Sequence, residues 1–68
     1  MNAKRIAVMI LANVAAMESG RISWAQFSRV NAATWDLAYG DELPIIGTPA
    51  ARRAAAVSNA LSKAMVSA

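Results

Sequence analysis

Apolar and polar residues along this chain follow the spacing of three helices. We expect the first helix over residues 3–19, the second over 24–39 and the third over 49–66, with a loop at 40–48. Apolar residues three and four positions apart line one side of a helix, which packs against its neighbours. No internal repeat or linker interrupts the chain. We therefore predict one all-α domain over residues 1–68, a small three-helix bundle.

The turn between the first two helices carries the clearest local signal. Gly20 lacks a Cβ and can adopt the left-handed conformation that ends a helix. Ser23 is a good N-cap, and Gln26 completes a capping box. Ile22 and Phe27 have the spacing of a hydrophobic staple. We therefore predict an antiparallel helical hairpin, to which the third helix is added.

The first helix has two apolar faces. One consists of Ile6, Ile10, Val14 and Met17, and the other of Val8, Leu11 and Ala15. A helix that is apolar on two sides packs on both, so the second face meets the third helix or a second copy. Asn13 either is exposed or bonded to backbone, or is buried and sets the register of a dimer. The predicted dimer or core interface is Val8, Leu11, Asn13 and Ala15.

The start of the chain also has features of a signal peptide. Lys4 and Arg5 precede an apolar run of about a dozen residues. Removing it would leave roughly fifty residues without cysteines, too few for a stable core. The run is also too short to cross a bilayer, which needs about 20 apolar residues. We therefore favour a buried core helix and expect no membrane partner.

The second helix has two stripes. The predicted core stripe is Phe27, Val30, Thr34, Leu37 and Ala38, and the stripe beside it is Trp24, Ser28, Asn31, Trp35 and Tyr39. Either the tryptophans cover the edge of the hairpin, or the second stripe binds a partner, since Trp and Tyr are frequent interface hot spots. On the second interpretation Trp24, Asn31, Trp35 and Tyr39 contact that partner.

The loop before the third helix is too apolar for a free linker. Leu43, Ile45 and Ile46 are therefore expected to fold back over the hairpin, and the acids Asp41 and Glu42 to form a solvated tip. Thr48 and Pro49 predict the start of the alanine-rich third helix. Its expected apolar stripe is Ala50, Ala54, Val57, Leu61, Ala64 and Met65, with Asn59 and Lys63 facing water.

Composition adds an argument for association. The chain has 68 residues, 57% of them hydrophobic and only 16% charged, and it has no cysteine or histidine. A domain this small usually needs a disulfide, a metal or a partner subunit, and the first two lack their residue types here. We therefore expect a homodimer.

Two basic pairs lie at predicted helix starts. Lys4 and Arg5 begin the first helix, and Arg52 and Arg53 begin the third, in a chain of net charge +3. Either a helix N-terminus with two cations binds an anion, on a protein or on nucleic acid, or the charges serve solubility and pair with Asp41 or Glu42. The turn also resembles that of a helix-turn-helix, although the helix after it lacks a polar base-reading face.

Catalysis is not expected. Histidine and cysteine are absent, and the carboxylates Glu18, Asp36, Asp41 and Glu42 do not share a helix face. No residue set predicts a metal or another cofactor. We predict a cytoplasmic, non-catalytic protein that binds another protein as an adaptor, inhibitor or assembly subunit, in the manner of phage or mobile-element proteins that act on a host protein. The alternative is a nucleic-acid-binding regulator that uses Arg52/Arg53 and Lys4/Arg5.

Overall fold

The computed structural model of the protein describes residues 2–40 and 42–67. It consists of helices α1 (Ala3–Glu18), α2 (Trp24–Tyr39) and α3 (Pro49–Ser67), and each helix contacts the other two. The predicted all-α, three-helix architecture is confirmed. Helix α1 ends one residue earlier than predicted and α3 ends one residue later.

The ends of α1 follow from local hydrogen bonds. Asn2 caps its start, because its side chain accepts a 2.8 Å hydrogen bond from the backbone N–H of Arg5. At the other end, Gly20 has a φ of 79°, and its N–H donates to the carbonyl of Met17. The N–H of Arg21 donates to the carbonyl of Ala16, which completes a Schellman motif. Gly20 therefore ends the helix as predicted.

Helix α2 begins at the predicted capping box. The Gln26 N–H donates to Ser23 Oγ at 3.2 Å, and the Ser23 N–H donates to Gln26 Oε1 at 2.8 Å. Helix α2 ends at Gly40, which has a φ of 65°. A side chain at this position would meet the Arg53 guanidinium at 3.3 Å, so both the backbone conformation and the space favour glycine.

The core is small and rich in alanine. Its fully buried aliphatic residues are Ile6, Ala7, Ile10, Ala38, Ala50 and Val57. Ala3, Trp35, Tyr39 and Leu61 pack against its central cluster. Small side chains at the helix contacts let the backbones approach closely, so few large residues are needed to fill the centre. As a consequence, most of the large aliphatic residues lie outside the core.

The inward face of α2 includes part of the predicted core stripe and is shifted towards Trp35 and Tyr39. Thr34 and Ala38 are buried, but Val30 and Leu37 are 47% and 48% exposed. Trp35 and Tyr39 pack at the core instead. The reason is geometric: the faces of α2 that meet α1 and α3 are centred between Ala38 and Trp35, which leaves Val30 and Leu37 on the outside. The prediction that Val30 and Leu37 are core residues is therefore wrong.

The remaining helix faces follow the sequence more closely. On α1, Ile6 and Ile10 are buried and Val14 and Met17 are partly buried, as expected for its first apolar face. On α3, Met65 is exposed although the predicted stripe included it. The molecule is 18 Å thick in its shortest dimension, less than two helix diameters. Each helix therefore has an outer face that the other two helices do not cover.

Candidate protein-binding surfaces

The apolar loop, residues 43–46, exposes three large aliphatic side chains. Leu43, Ile45 and Ile46 are 73%, 61% and 98% exposed. The prediction that they fold back over the hairpin is wrong. Sequence reasoning identified the segment as too apolar for a linker but assigned it to the interior. Three large aliphatic residues around Pro44, between Gly40 and Gly47, were the signal that could have indicated an exposed loop.

Hydrogen bonds order the loop in this exposed conformation. The Ile45 N–H donates to the Leu43 carbonyl at 2.8 Å, and the Thr48 N–H donates to the Ile45 carbonyl at 3.0 Å. The Thr48 hydroxyl donates to the same Ile45 carbonyl at 2.7 Å and accepts the N–H of Ala51 at 3.2 Å. Thr48 therefore caps α3 and fixes the loop at once. The apolar side chains are exposed on a backbone in which the Leu43 carbonyl and both polar groups of Ile45 are hydrogen-bonded.

Arg53 holds the other end of the loop. Its guanidinium donates to the carbonyls of Ala38 and Tyr39, each at 2.8 Å, and forms a 3.3 Å ion pair with Glu42. The two carbonyls belong to the last turn of α2, where no intrahelical donor reaches them. A cation at this end also complements the helix dipole. Arg53 thus closes α2 from α3, and the predicted pairing of an arginine with Glu42 is present.

The other predicted basic residues have different surroundings. Arg52, Lys4 and Arg5 are exposed. Asp41, the second predicted ion-pair partner and half of the predicted acidic tip, lies outside the described residues. The arginine pair is therefore divided: both residues are exposed, but among the described residues only the Arg53 guanidinium of the pair is bonded within the fold. An anion site on both arginines stays a prediction.

The predicted aromatic stripe is also divided. Trp24 is largely exposed, and its ring centroid lies 5.3 Å from that of Phe27. Trp35 and Tyr39 stack with centroids 6.0 Å apart and pack against the core, while Asn31 is partly buried. Trp24 is thus the one aromatic residue of the stripe that is freely accessible. Binding of a partner by Trp24, Asn31, Trp35 and Tyr39 stays a prediction.

The predicted interface on α1 separates into inner and outer residues. Asn13 is buried, and its Nδ2 donates to the Phe27 carbonyl of α2 at 3.1 Å. Leu11 is partly buried, whereas Val8 and Ala15 are exposed. Asn13 therefore has a backbone partner within its own chain, and Val8 and Ala15 do not belong to the core. Their use in a dimer stays a prediction.

The outer face of α2 consists of Gln26, Arg29, Val30, Ala33, Asp36 and Leu37. All six residues are exposed. The helical repeat places Arg29, Ala33 and Asp36 on the side of α2 opposite Ala38, and Val30 and Leu37 on the flank between that side and the buried Thr34. Val30 and Leu37 give this face two large aliphatic residues, and Arg29 and Asp36 give it one charge of each sign. It is a helix face that no part of the described chain covers.

A cleft of about 640 Å³ lies between α1 and α3. Its lining residues are Ala3, Lys4, Ala7, Val8, Ala56, Asn59, Ala60, Lys63 and Ala64. The floor is methyl groups, with two lysines and an amide at the edges. The lining residues include no carboxylate, hydroxyl or thiol that could act as a base or a nucleophile.

The described residues contain neither a metal-binding cluster nor a membrane-spanning helix. Within residues 2–40 and 42–67, no three metal-binding side chains of the His, Cys, Asp or Glu type come together. None of the helices, over the same residues, combines the length and the apolar character needed to cross a membrane.

Comparisons with known proteins bring no relative. The chain matches no known protein family, and no curated protein or solved structure is significantly similar to it. Function must therefore be argued from the surfaces themselves.

Proposed function

We propose that this chain is a non-catalytic protein that binds another protein through the apolar loop. The observation that carries the proposal is the exposure of Leu43, Ile45 and Ile46 on a backbone that hydrogen bonds already order. Burying one such side chain contributes roughly 1.5–3 kcal/mol. Because the loop is already ordered, binding loses little conformational entropy. An adaptor, an inhibitor and an assembly subunit all fit this description.

We also propose a cellular location, a helix orientation and self-association for this chain, as the sequence predicts. The chain acts in the cytoplasm of the producing or host cell, in the manner of a phage or mobile-element protein. Its helices α1 and α2 form the antiparallel hairpin, which the Asn13–Phe27 contact and the shared cluster of Ile6 with Ala38 support. It also associates with itself, since its small core leaves large aliphatic residues outside.

Binding of nucleic acid is the alternative. The contacts of Arg53 argue against a phosphate site that uses Arg52 and Arg53 together. The guanidinium is bonded to two backbone carbonyls and to Glu42, so a phosphate would have to displace these partners. Arg52, Lys4 and Arg5 remain at the surface. Phosphate binding through them would weaken steeply with salt.

The test is a comparative pull-down from lysate of the native cell or its host, with and without nuclease. The bait is the full chain as wild type, as Ile45→Ser/Ile46→Ser, and as Met65→Ser, which removes an exposed apolar side chain elsewhere. We expect a discrete protein that binds the wild type and Met65→Ser after nuclease and is lost with the loop variant. Equal recovery on all three baits would overturn the loop as the binding element. Loss of every partner after nuclease would favour the nucleic-acid alternative.

A further inference from the structure

Arg29 and Asp36 place opposite charges on the outer face of α2. They are seven residues apart, which is nearly two turns and about 10 Å along the helix, too far to pair with each other. Both are exposed. Among residues 2–40 and 42–67, no ion pair involves either of them. Each therefore presents its charge to whatever covers this face.

The apolar residues of the same face have the same spacing. Val30 and Leu37 are also seven residues apart, and Ala33 lies between them. The helical repeat places the aliphatic pair on one flank of Ala33 and the charged pair on the other. The midpoint of the charged pair falls just before Ala33, and the midpoint of the aliphatic pair just after it. Both pairs are thus centred on the same small residue.

This symmetry makes the face complementary to itself. When two copies of α2 pack antiparallel with Ala33 at the two-fold axis, matching flanks meet. Arg29 then lies opposite Asp36 of the second copy, and Val30 lies opposite Leu37. Alanine at the crossing point lets the two helices approach closely. A parallel two-fold arrangement would instead place the charged flank of each helix against the aliphatic flank of the other, so only the antiparallel arrangement pairs opposite charges and aliphatic residues.

We infer that a second copy of this chain covers the outer face of α2, in an antiparallel, two-fold symmetric dimer centred on Ala33. This inference rests on the self-association part of the proposed function and specifies its surface. It is separate from the binding of another protein by the apolar loop. It also locates the dimer on α2, not on the residues of α1 that the sequence predicted.

Charge reversal tests the pairing. In Arg29→Glu both charges of the face become acidic, and in Asp36→Arg both become basic. We expect each variant alone to have a dimer dissociation constant raised by roughly ten- to hundredfold, because like charges then meet at both ends. An equimolar mixture of the two variants restores opposite charges and should form a heterodimer. The double variant Arg29→Glu/Asp36→Arg should dimerise as the wild type does.

Sedimentation velocity over a range of concentrations measures these constants, and circular dichroism checks the helix content. Arg52→Glu and Glu18→Arg make the same charge changes at exposed positions elsewhere, so they should dimerise like the wild type. If the charge reversals leave the dimer dissociation constant unchanged, the inference is overturned, and the dimer forms through another surface. A wild type that remains monomeric up to millimolar concentration would overturn both the inferred α2 interface and self-association. The proposed binding of another protein through the apolar loop would still stand.

A cysteine at the axis gives a second readout that does not depend on charge. The chain has no cysteine, so Ala33→Cys introduces a single thiol. In the proposed dimer it lies next to its symmetry mate, within reach of a disulfide. Mild oxidation should link two copies in native buffer and not in denaturant. Ala55→Cys, exposed on α3, is the control. Equal linking of the two variants would contradict the inference.

Discussion

At the scale of single residues, Arg53 has an unusual position for a helix-start arginine. It lies just after the first turn of α3, near the end where a cation opposes the helix dipole, but its guanidinium reaches the end of α2. There it bonds two carbonyls that the helix itself leaves without donors. The favourable interaction of the Arg53 charge with the end of α2 therefore offsets its unfavourable interaction with the start of α3.

Replacing Arg53 by alanine should therefore lower the free energy of unfolding by about 1–2 kcal/mol, since charged hydrogen bonds at a half-exposed site are lost. Urea denaturation followed by circular dichroism measures this change. Arg52→Ala is the matched control, because the neighbouring arginine has the same charge and lies exposed. We expect it to stay within about 0.5 kcal/mol of the wild type. Identical denaturation midpoints for the two variants would contradict the assigned role of Arg53.

Asn13 shows what one sequence can and cannot reveal about a residue. Its position as a lone polar residue in an apolar run was evident, and a backbone hydrogen bond was one of its two interpretations. The partner, Phe27, lies 14 residues away, and local spacing does not identify a contact between helices. Asn2 was missed altogether as a cap, although Asn before a helix start is a frequent N-cap.

At the scale of elements, the helix ends were predictable and the inward faces were less so. Gly20, Ser23 and Thr48 act through bonds to neighbours in the sequence, so their residue types were sufficient. Which side of α2 packs depends on where α1 and α3 lie. Val30 and Leu37 have the spacing of one helix face, but that spacing does not show whether the face is buried or exposed. The outward apolar loop escaped prediction for the same reason, because burial is a property of the assembled molecule.

Thr48 links an element end to the apolar loop, so its hydroxyl should control both. Thr48→Ala should cost about 1 kcal/mol of stability, as the loss of an N-cap does. It should also speed hydrogen exchange at the Ala51 amide, whose acceptor is removed. Hydrogen-exchange NMR measures this directly. Thr48→Ser keeps the hydroxyl and should retain the slow exchange. Unchanged exchange at Ala51 in Thr48→Ala would show that the Thr48 hydroxyl does not cap α3.

At the scale of the whole molecule, the distribution of large side chains is the dominant feature. Ile6, Ile10 and Val57 are the only non-alanine aliphatic residues of the fully buried core in the described chain. A core of this size supplies a domain with only about 3–5 kcal/mol. Surface Val and Leu residues on α2 contribute less to folding than their number suggests. Stability therefore depends on very few positions.

Ile6→Ala should accordingly unfold the isolated chain. Large-to-small changes in a core cost about 2–5 kcal/mol, which is comparable to the whole stability expected here. Far-ultraviolet circular dichroism at low protein concentration would show loss of helix. Val30→Ala removes aliphatic carbons from the exposed outer face and should keep the native spectrum under the same conditions. A folded Ile6→Ala would mean that the cluster around it contributes little.

The contact of Arg53 with α2 has a consequence for cooperativity. The carbonyls of Ala38 and Tyr39 gain the Arg53 donors only when α3 has formed, so the last turn of α2 and the start of α3 should open and close as one unit. The apolar loop joins these two turns, and its exposed conformation exists only while both are intact. A partner that captures the loop therefore binds the folded chain selectively and, by mass action, shifts the equilibrium towards it. Binding of a partner to the loop and folding of the chain are then thermodynamically coupled.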